Sequence, residues 1–310
     1  MRTLRTILIF CAAAILLLSG CGKKQADPIP TESAATIPEE IAESIPIETV
    51  MTDSFSMNYF KFGKGEKTFV ILPGISVQGV MGSAEQVALG YETMTEDFTV
   101  YVFDPRNELP ASYSISEMAE DTAEVFRIIG LDYIYVMGAS MGGMVAMEIA
   151  ANHPELIEKM ILASTAVQMK EEQCQSIDEW IRLAQEGDTQ ALYLSFGEDI
   201  YPQEVFEQAR DLLIEASKTV TEDELKHFVI LAESLKGFDI TNDLEKIACP
   251  ILAISDTEDH VLGAEAVQMV ETYMSQRPDW DFYLYEGYGH AVYDTAPDFK
   301  ERMLQFFLED

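Results

Sequence analysis

Ser140 stands in the run VMGASMGGMVA (residues 136–146), where three glycines and one hydroxyl separate two apolar stretches. A nucleophile at the tip of a strand-to-helix turn needs this pattern. Residues two before and two after it approach each other closely, so Gly138 and Gly142 suit those positions. The helix N-terminus just beyond supplies amide donors and a positive dipole end for a developing oxyanion. A serine also needs a base. Of the four histidines, His153 ends the helix after the turn, His227 lies in a helical stretch, and His260 directly follows an acid. His290 sits in EGYGHAVYDTAPDF, a glycine-rich loop between the last apolar strand and the last helix. Loops at the C-terminal ends of strands are where ligands meet an open α/β sheet, so His290 is the expected base. The run ISDTEDHVLG offers Asp256, Glu258 and Asp259 to hold the imidazole. Asp259 is the choice because it lies beyond the strand end, with Asp256 as the fallback.

These groups need a scaffold, and the sequence predicts one. Short β-rich runs occur at 67–72, 98–104, 133–137, 159–163, 250–255 and 280–285, with an earlier pair within 51–63. Several are continuously apolar, as strands buried on both faces must be. Helical patterns alternate with them. Ser83/Gln86, Ser114/Glu117, Ser176/Glu179 and Thr221/Glu224 have capping-box spacing, and Gly130 stops the second helix. Repeated β-helix-β order implies an α/β fold, a mostly parallel central sheet with helices on both faces. The interval of about 167–247 carries only helical patterns and reads as an all-helical lid inserted over the sheet's edge.

The chain has 54 Asp plus Glu against 20 Lys plus Arg, a formal charge of −34. That disfavours nucleic acid, whose phosphates require a basic footprint. It equally disfavours highly anionic substrates and electrostatic docking on anionic lipid. MRTLR precedes a twelve-residue apolar run at 7–18, a length that fits a signal peptide better than a membrane span. The following Leu18-Ser19-Gly20-Cys21 resembles the bacterial lipobox. The resemblance implies cleavage before Cys21 and lipidation of its sulfur, hence export and a membrane anchor facing outward. Residues 1–20 are then the signal peptide, 21–50 the lipidated cysteine with a flexible Pro- and Glu-rich tether, and 51–310 the folded domain. An edge strand within 41–50 is the alternative that the prolines disfavour. Cys174 and Cys249 remain; an oxidising compartment permits a disulfide between them, and two buried free thiols are the favoured reading because Cys249 starts an apolar strand. No CxxC or HExxH occurs, so neither a metal ion nor an organic cofactor is expected.

With Ser140, Asp259 and His290 in the order serine, acid, histidine, and a lid after the strand at 159–163, residues 55–310 resemble the α/β-hydrolase family. The resemblance implies an oxyanion hole made by the amides of Met141 and Ile75, the latter in the loop LPGIS, where Pro73-Gly74 replaces the usual His-Gly. Many members with helical lids carry Arg-Gly-x-Gly-x-Ser after the strand that here ends at Asp104. This chain instead reads Asp104-Pro105-Arg106-Asn107-Glu108-Leu109-Pro110, which should reshape one wall of the pocket. The implied activity is hydrolysis of an ester, thioester or amide of a small acyl substrate through an acyl-enzyme. An acyltransferase would use the same residues, and a surface lipoprotein that binds a ligand without turnover is the reading from another class. Oligomeric state is left open.

Overall fold

The computed structural model describes residues 44–309. The leader, Cys21 and nearly all of the tether lie outside the described residues. Strands β1 (Glu48–Met51), β2 (Ser56–Gly63), β3 (Lys67–Leu72), β4 (Phe98–Arg106), β5 (Ile134–Ala139), β6 (Ile157–Ala163), β7 (Ile251–Asp256) and β8 (Trp280–Tyr285) form one sheet. Its order is β1-β2-β4-β3-β5-β6-β7-β8. Pairing is parallel from β4 through β8 and antiparallel at β1–β2 and β2–β4. The α/β class expected from the alternation is the one observed.

Strand alternation divides the core in two. Val70, Leu72, Val136 and Leu162 point into the layer covered by α2 (Ile115–Ile129), α3 (Met141–Asn152) and α8 (Gly263–Met274). Phe69, Ile71, Met137 and Ile161 point into the opposite layer, under α1 (Ala84–Gly90), α9 (Val292–Thr295) and α10 (Phe299–Leu308). There Phe307 meets Phe69 edge-on at 5.3 Å, and both are buried. Each such side chain contributes about 1.5–3 kcal/mol through burial.

Two of the four expected capping boxes form. Ser114 and Glu117 cap α2, and Thr221 and Glu224 cap α7 (Glu222–Ser234). Gly130 ends α2 in the left-handed conformation. Ser83 makes no capping bond because a 3₁₀ turn, Val80–Ser83, already leads into α1. Ser176 lies inside α4 (Gln175–Glu186), which starts one residue earlier.

The first strand begins at Glu48, inside the segment read as tether. Pro46 stands ahead of it, so no proline interrupts the ladder with β2. Glu48 is further held by the Tyr59 hydroxyl at 2.6 Å.

Between β6 and β7 stand four helices, α4, α5 (Thr189–Ile200), α6 (Gln203–Ser217) and α7. The insertion closes at its neck by a short antiparallel bridge between Gln168 and Asp239, flanked by Met169 N to Phe238 O and Ile240 N to Val167 O. This pairing carried no strand-like signal in the sequence. Cys174 and Cys249 are buried free thiols, and burial pushes the Cys249 thiol up to about 12.

Candidate active site

Strand β5 delivers Ser140 into a sharp turn, and α3 leaves from it. Ser140 adopts φ +49°, ψ −117°, outside the regions open to ordinary residues, at a cost of about 1–3 kcal/mol. Its backbone is pinned from both sides. The Ser140 amide donates to Ala163 O at 2.8 Å, and its carbonyl accepts from the Thr165 hydroxyl at 2.7 Å. Both flanking glycines are required by space. A Cβ on Gly138 would lie 2.4 Å from Gly142 O, and one on Gly142 would lie 2.0 Å from Leu72 O. Thr165 escaped the sequence reading, since a lone threonine after a strand carries no distinctive signal.

His290 Nδ1 lies 2.8 Å from Asp259 Oδ2, with both side chains almost wholly enclosed. The other Asp259 oxygen accepts the amides of Val261 and Leu262 at 3.0 and 2.9 Å, which fixes the carboxylate in place. The fallback acid has a different task. Asp256 accepts Glu258 N at 2.7 Å and Tyr288 N at 2.9 Å, tying the end of β7 to the loop that carries His290. That loop is also held by Ala291 N, which donates to Ile200 O at the end of α5.

The other histidines stand apart from this constellation. The ring of His153 bonds Glu120 and Arg127 at the surface, while His227 and His260 are exposed.

Ser140 and His290 line one cavity of about 120 Å³. Trp180, Tyr193, Phe196 and Ile200 of the inserted helices form part of its wall, so the insertion does cover the site. Ile75 lines it as well, and the preceding Gly74 passes so close to the serine that a Cβ there would be 3.1 Å from Ser140 Cβ. Met141 opens α3, where amides have no partner within the helix. Gln78, in the loop after β3, ties this wall to the insertion. It accepts from the Tyr193 hydroxyl at 2.9 Å and donates to Glu224 at 3.0 Å.

The unusual run from Asp104 to Pro110, at the end of β4 and beyond it, acts at one remove instead of forming a wall of this cavity. The Asp104 carboxylate accepts Val80 N at 2.8 Å and so fixes the 3₁₀ turn whose Val80 faces the cavity. Burial pushes the Asp104 carboxyl up to about 6. Arg106 turns outward to Asp121 at 3.1 Å and covers the Tyr113 ring.

A buried carboxylate–imidazole pair and a serine on a strained turn can together remove a proton and attack a carbonyl. Comparison with known proteins finds hydrolases. The family model Hydrolase_4, described as serine aminopeptidase, S33, matches residues 88–295. A protein of Agrobacterium fabrum named "Putative carbamate hydrolase RutD" is 25% identical over 240 residues, covering 74% of this chain and 90% of its own length. Its namesake in Pseudomonas savastanoi pv. phaseolicola is 27% identical over 248 residues, with coverage of 74% and 90%. Among solved structures, the α/β hydrolase MGS-M2 from a Medee basin deep-sea metagenome library superposes with TM-score 0.75 at 20% identity. That match covers 85% of this chain and 98% of MGS-M2. An enol-lactonase from Burkholderia xenovorans gives 0.72 at 16%, covering 84% and 100%. The fold is that of these hydrolases, and with the family model spanning two thirds of its length, the chain belongs to the Hydrolase_4 family of α/β-hydrolase enzymes.

Proposed function

We propose that the protein is a serine hydrolase that cleaves an ester, thioester or amide of a small acyl substrate through an acyl-enzyme on Ser140. The observation that carries this reading is the 2.8 Å His290–Asp259 contact, in a cavity that also holds Ser140 on its strained turn. His290 Nε2 takes the hydroxyl proton as Oγ attacks the carbonyl carbon. Asp259 fixes the tautomer and stabilises the imidazolium. The amides of Met141 and Ile75 receive the oxyanion. His290 then returns the proton to the leaving group, and water attacks the acyl-enzyme by the same route in reverse.

Carbamates belong among the substrates to test, because the relatives named for them cover most of this chain and because attack on a carbamate carbonyl uses the same groups. At the cell envelope, lipid on Cys21 would hold the enzyme facing outward, a reading that rests on the apolar run and the Leu-Ser-Gly-Cys pattern.

Two assays test the proposal. The full chain should hydrolyse p-nitrophenyl esters of short acids, and Ser140→Ala should lose about 10⁶ of kcat. Absence of turnover on esters, thioesters, amides and carbamates alike would refute the hydrolase assignment. In cell fractionation Cys21→Ala should leave the membrane fraction, and a variant that stays there would refute the anchor.

A further inference from the structure

The cavity beside Ser140 is not lined by apolar groups alone. Its wall includes Ile71, Val102, Met137 and Ala139, and with them Gln86 of α1, Tyr91, Asp294 of α9 and Lys300 of α10. The Tyr91 hydroxyl lies 3.7 Å from the sulfur of Met137. Met137 stands three residues before Ser140 on β5, about 10 Å down the strand, so this polar group marks the deep end of the cavity.

The group is incompletely satisfied. Lys300, 8% exposed, donates to Tyr293 O and sits 5.1 Å from the centre of the Tyr91 ring. Gln86 Oε1 is buried with no partner, and the half-buried Asp294 carboxyl, which shares the cavity, is in no ion pair among the described residues. A buried amide oxygen without a donor costs about 1–3 kcal/mol. Lys300 thus bridges the Tyr91 ring and the carbonyl of Tyr293, the residue before Asp294, and all of these residues line the same cavity.

The geometry points to a polar-end subsite: Asp294 and Gln86 accept hydrogen bonds from an uncharged donor group, such as a primary amide, at the far end of the acyl chain held on Ser140. An uncharged donor fits better than an ammonium, since Lys300 already supplies a positive charge there. A primary amide also offers an oxygen to Lys300, which has protons beyond the one given to Tyr293. Burial pushes the Asp294 carboxyl up to about 6, with Lys300 opposing the shift. The inference rests on the hydrolase reading for the position of the acyl carbonyl, and it names the class of acyl group.

The test uses two series of p-nitrophenyl esters of increasing chain length, one ending in a primary amide and one in the isosteric isopropyl group. Wild-type enzyme should prefer the amide end in kcat/KM by about tenfold or more at the length that reaches the deep end, the effect of one hydrogen bond to a charged acceptor. Asp294→Leu should reverse the preference, and the shape-conserving Asp294→Asn should reduce it. Equilibrium binding of the uncleaved esters to Ser140→Ala protein supplies a readout that needs no turnover, and the same order is expected there. Hydrolysis of both series at equal efficiency, or a preference unchanged in both Asp294 variants, overturns the subsite and leaves the hydrolase reading standing. Amide-selective binding to Ser140→Ala without turnover by wild type supports the subsite and removes the hydrolase reading.

Discussion

Asp259 and Asp256 lie three residues apart at the end of β7, and their partners separate two tasks. Asp259 meets the His290 imidazole, whereas Asp256 meets only backbone amides. Asp259→Asn keeps the shape but favours the wrong imidazole tautomer, so kcat should fall by about 10⁴ with the melting temperature little changed. Asp256→Asn loses an acceptor for one part-buried amide, and its main effect should be a lower melting temperature, with kcat kept within about tenfold. Steady-state kinetics and calorimetry on the two variants check this pair, and equal kinetic damage from both would contradict the division. At this scale the sequence was informative where residue type and spacing coincide. The Gly-x-Ser-x-Gly pattern and the histidine of a glycine-rich loop are legible in one dimension. Thr165, Gln78, Asp294 and Lys300 are not, because each acts through a neighbour distant in sequence or faces a cavity that several separate segments enclose.

The inserted helices and the loop after β3 share the cavity wall, and Gln78 joins them through Tyr193 and Glu224. Gln78→Leu removes both bonds while keeping the side chain's bulk. The wall should loosen, raising KM several-fold while kcat falls less, and substrate-concentration curves for one ester would show it. An unchanged KM would mean that packing alone seats the insertion. Here too the sequence was partly legible. Periodicity located the helices and the interval without strands, because apolar faces repeat at helical spacing. It missed the Gln168–Asp239 bridge, a single pair with no alternation to detect, and it ranked strand β1 below a tether because prolines precede its four residues. Two of four capping boxes failed for a related reason: a serine three residues ahead of a Glu or Gln is common, and the true helix starts are set by the preceding turn and by packing.

The whole molecule carries a formal charge of −34, and burial pushes two carboxyls, Asp104 and Asp294, up to about 6. A carboxyl raised on folding binds more protons in the folded state between its unfolded value near 4 and its folded value. Stability therefore falls as pH rises through about 4–6, and acidification from pH 7 towards 5 should raise the melting temperature. Relief of self-repulsion acts in the same direction. Asp104→Asn with Asp294→Asn should flatten the dependence, and a melting temperature in the wild type that drops steadily from pH 7 to 5 would contradict the account. The central claim, a nucleophilic Ser140, is tested most directly by intact-protein and peptide mass spectrometry after treatment with a fluorophosphonate. One adduct located on Ser140, absent from Ser140→Ala and strongly slowed in His290→Ala, is the predicted result. No adduct on a protein shown to be folded, or an adduct on another serine, would contradict it.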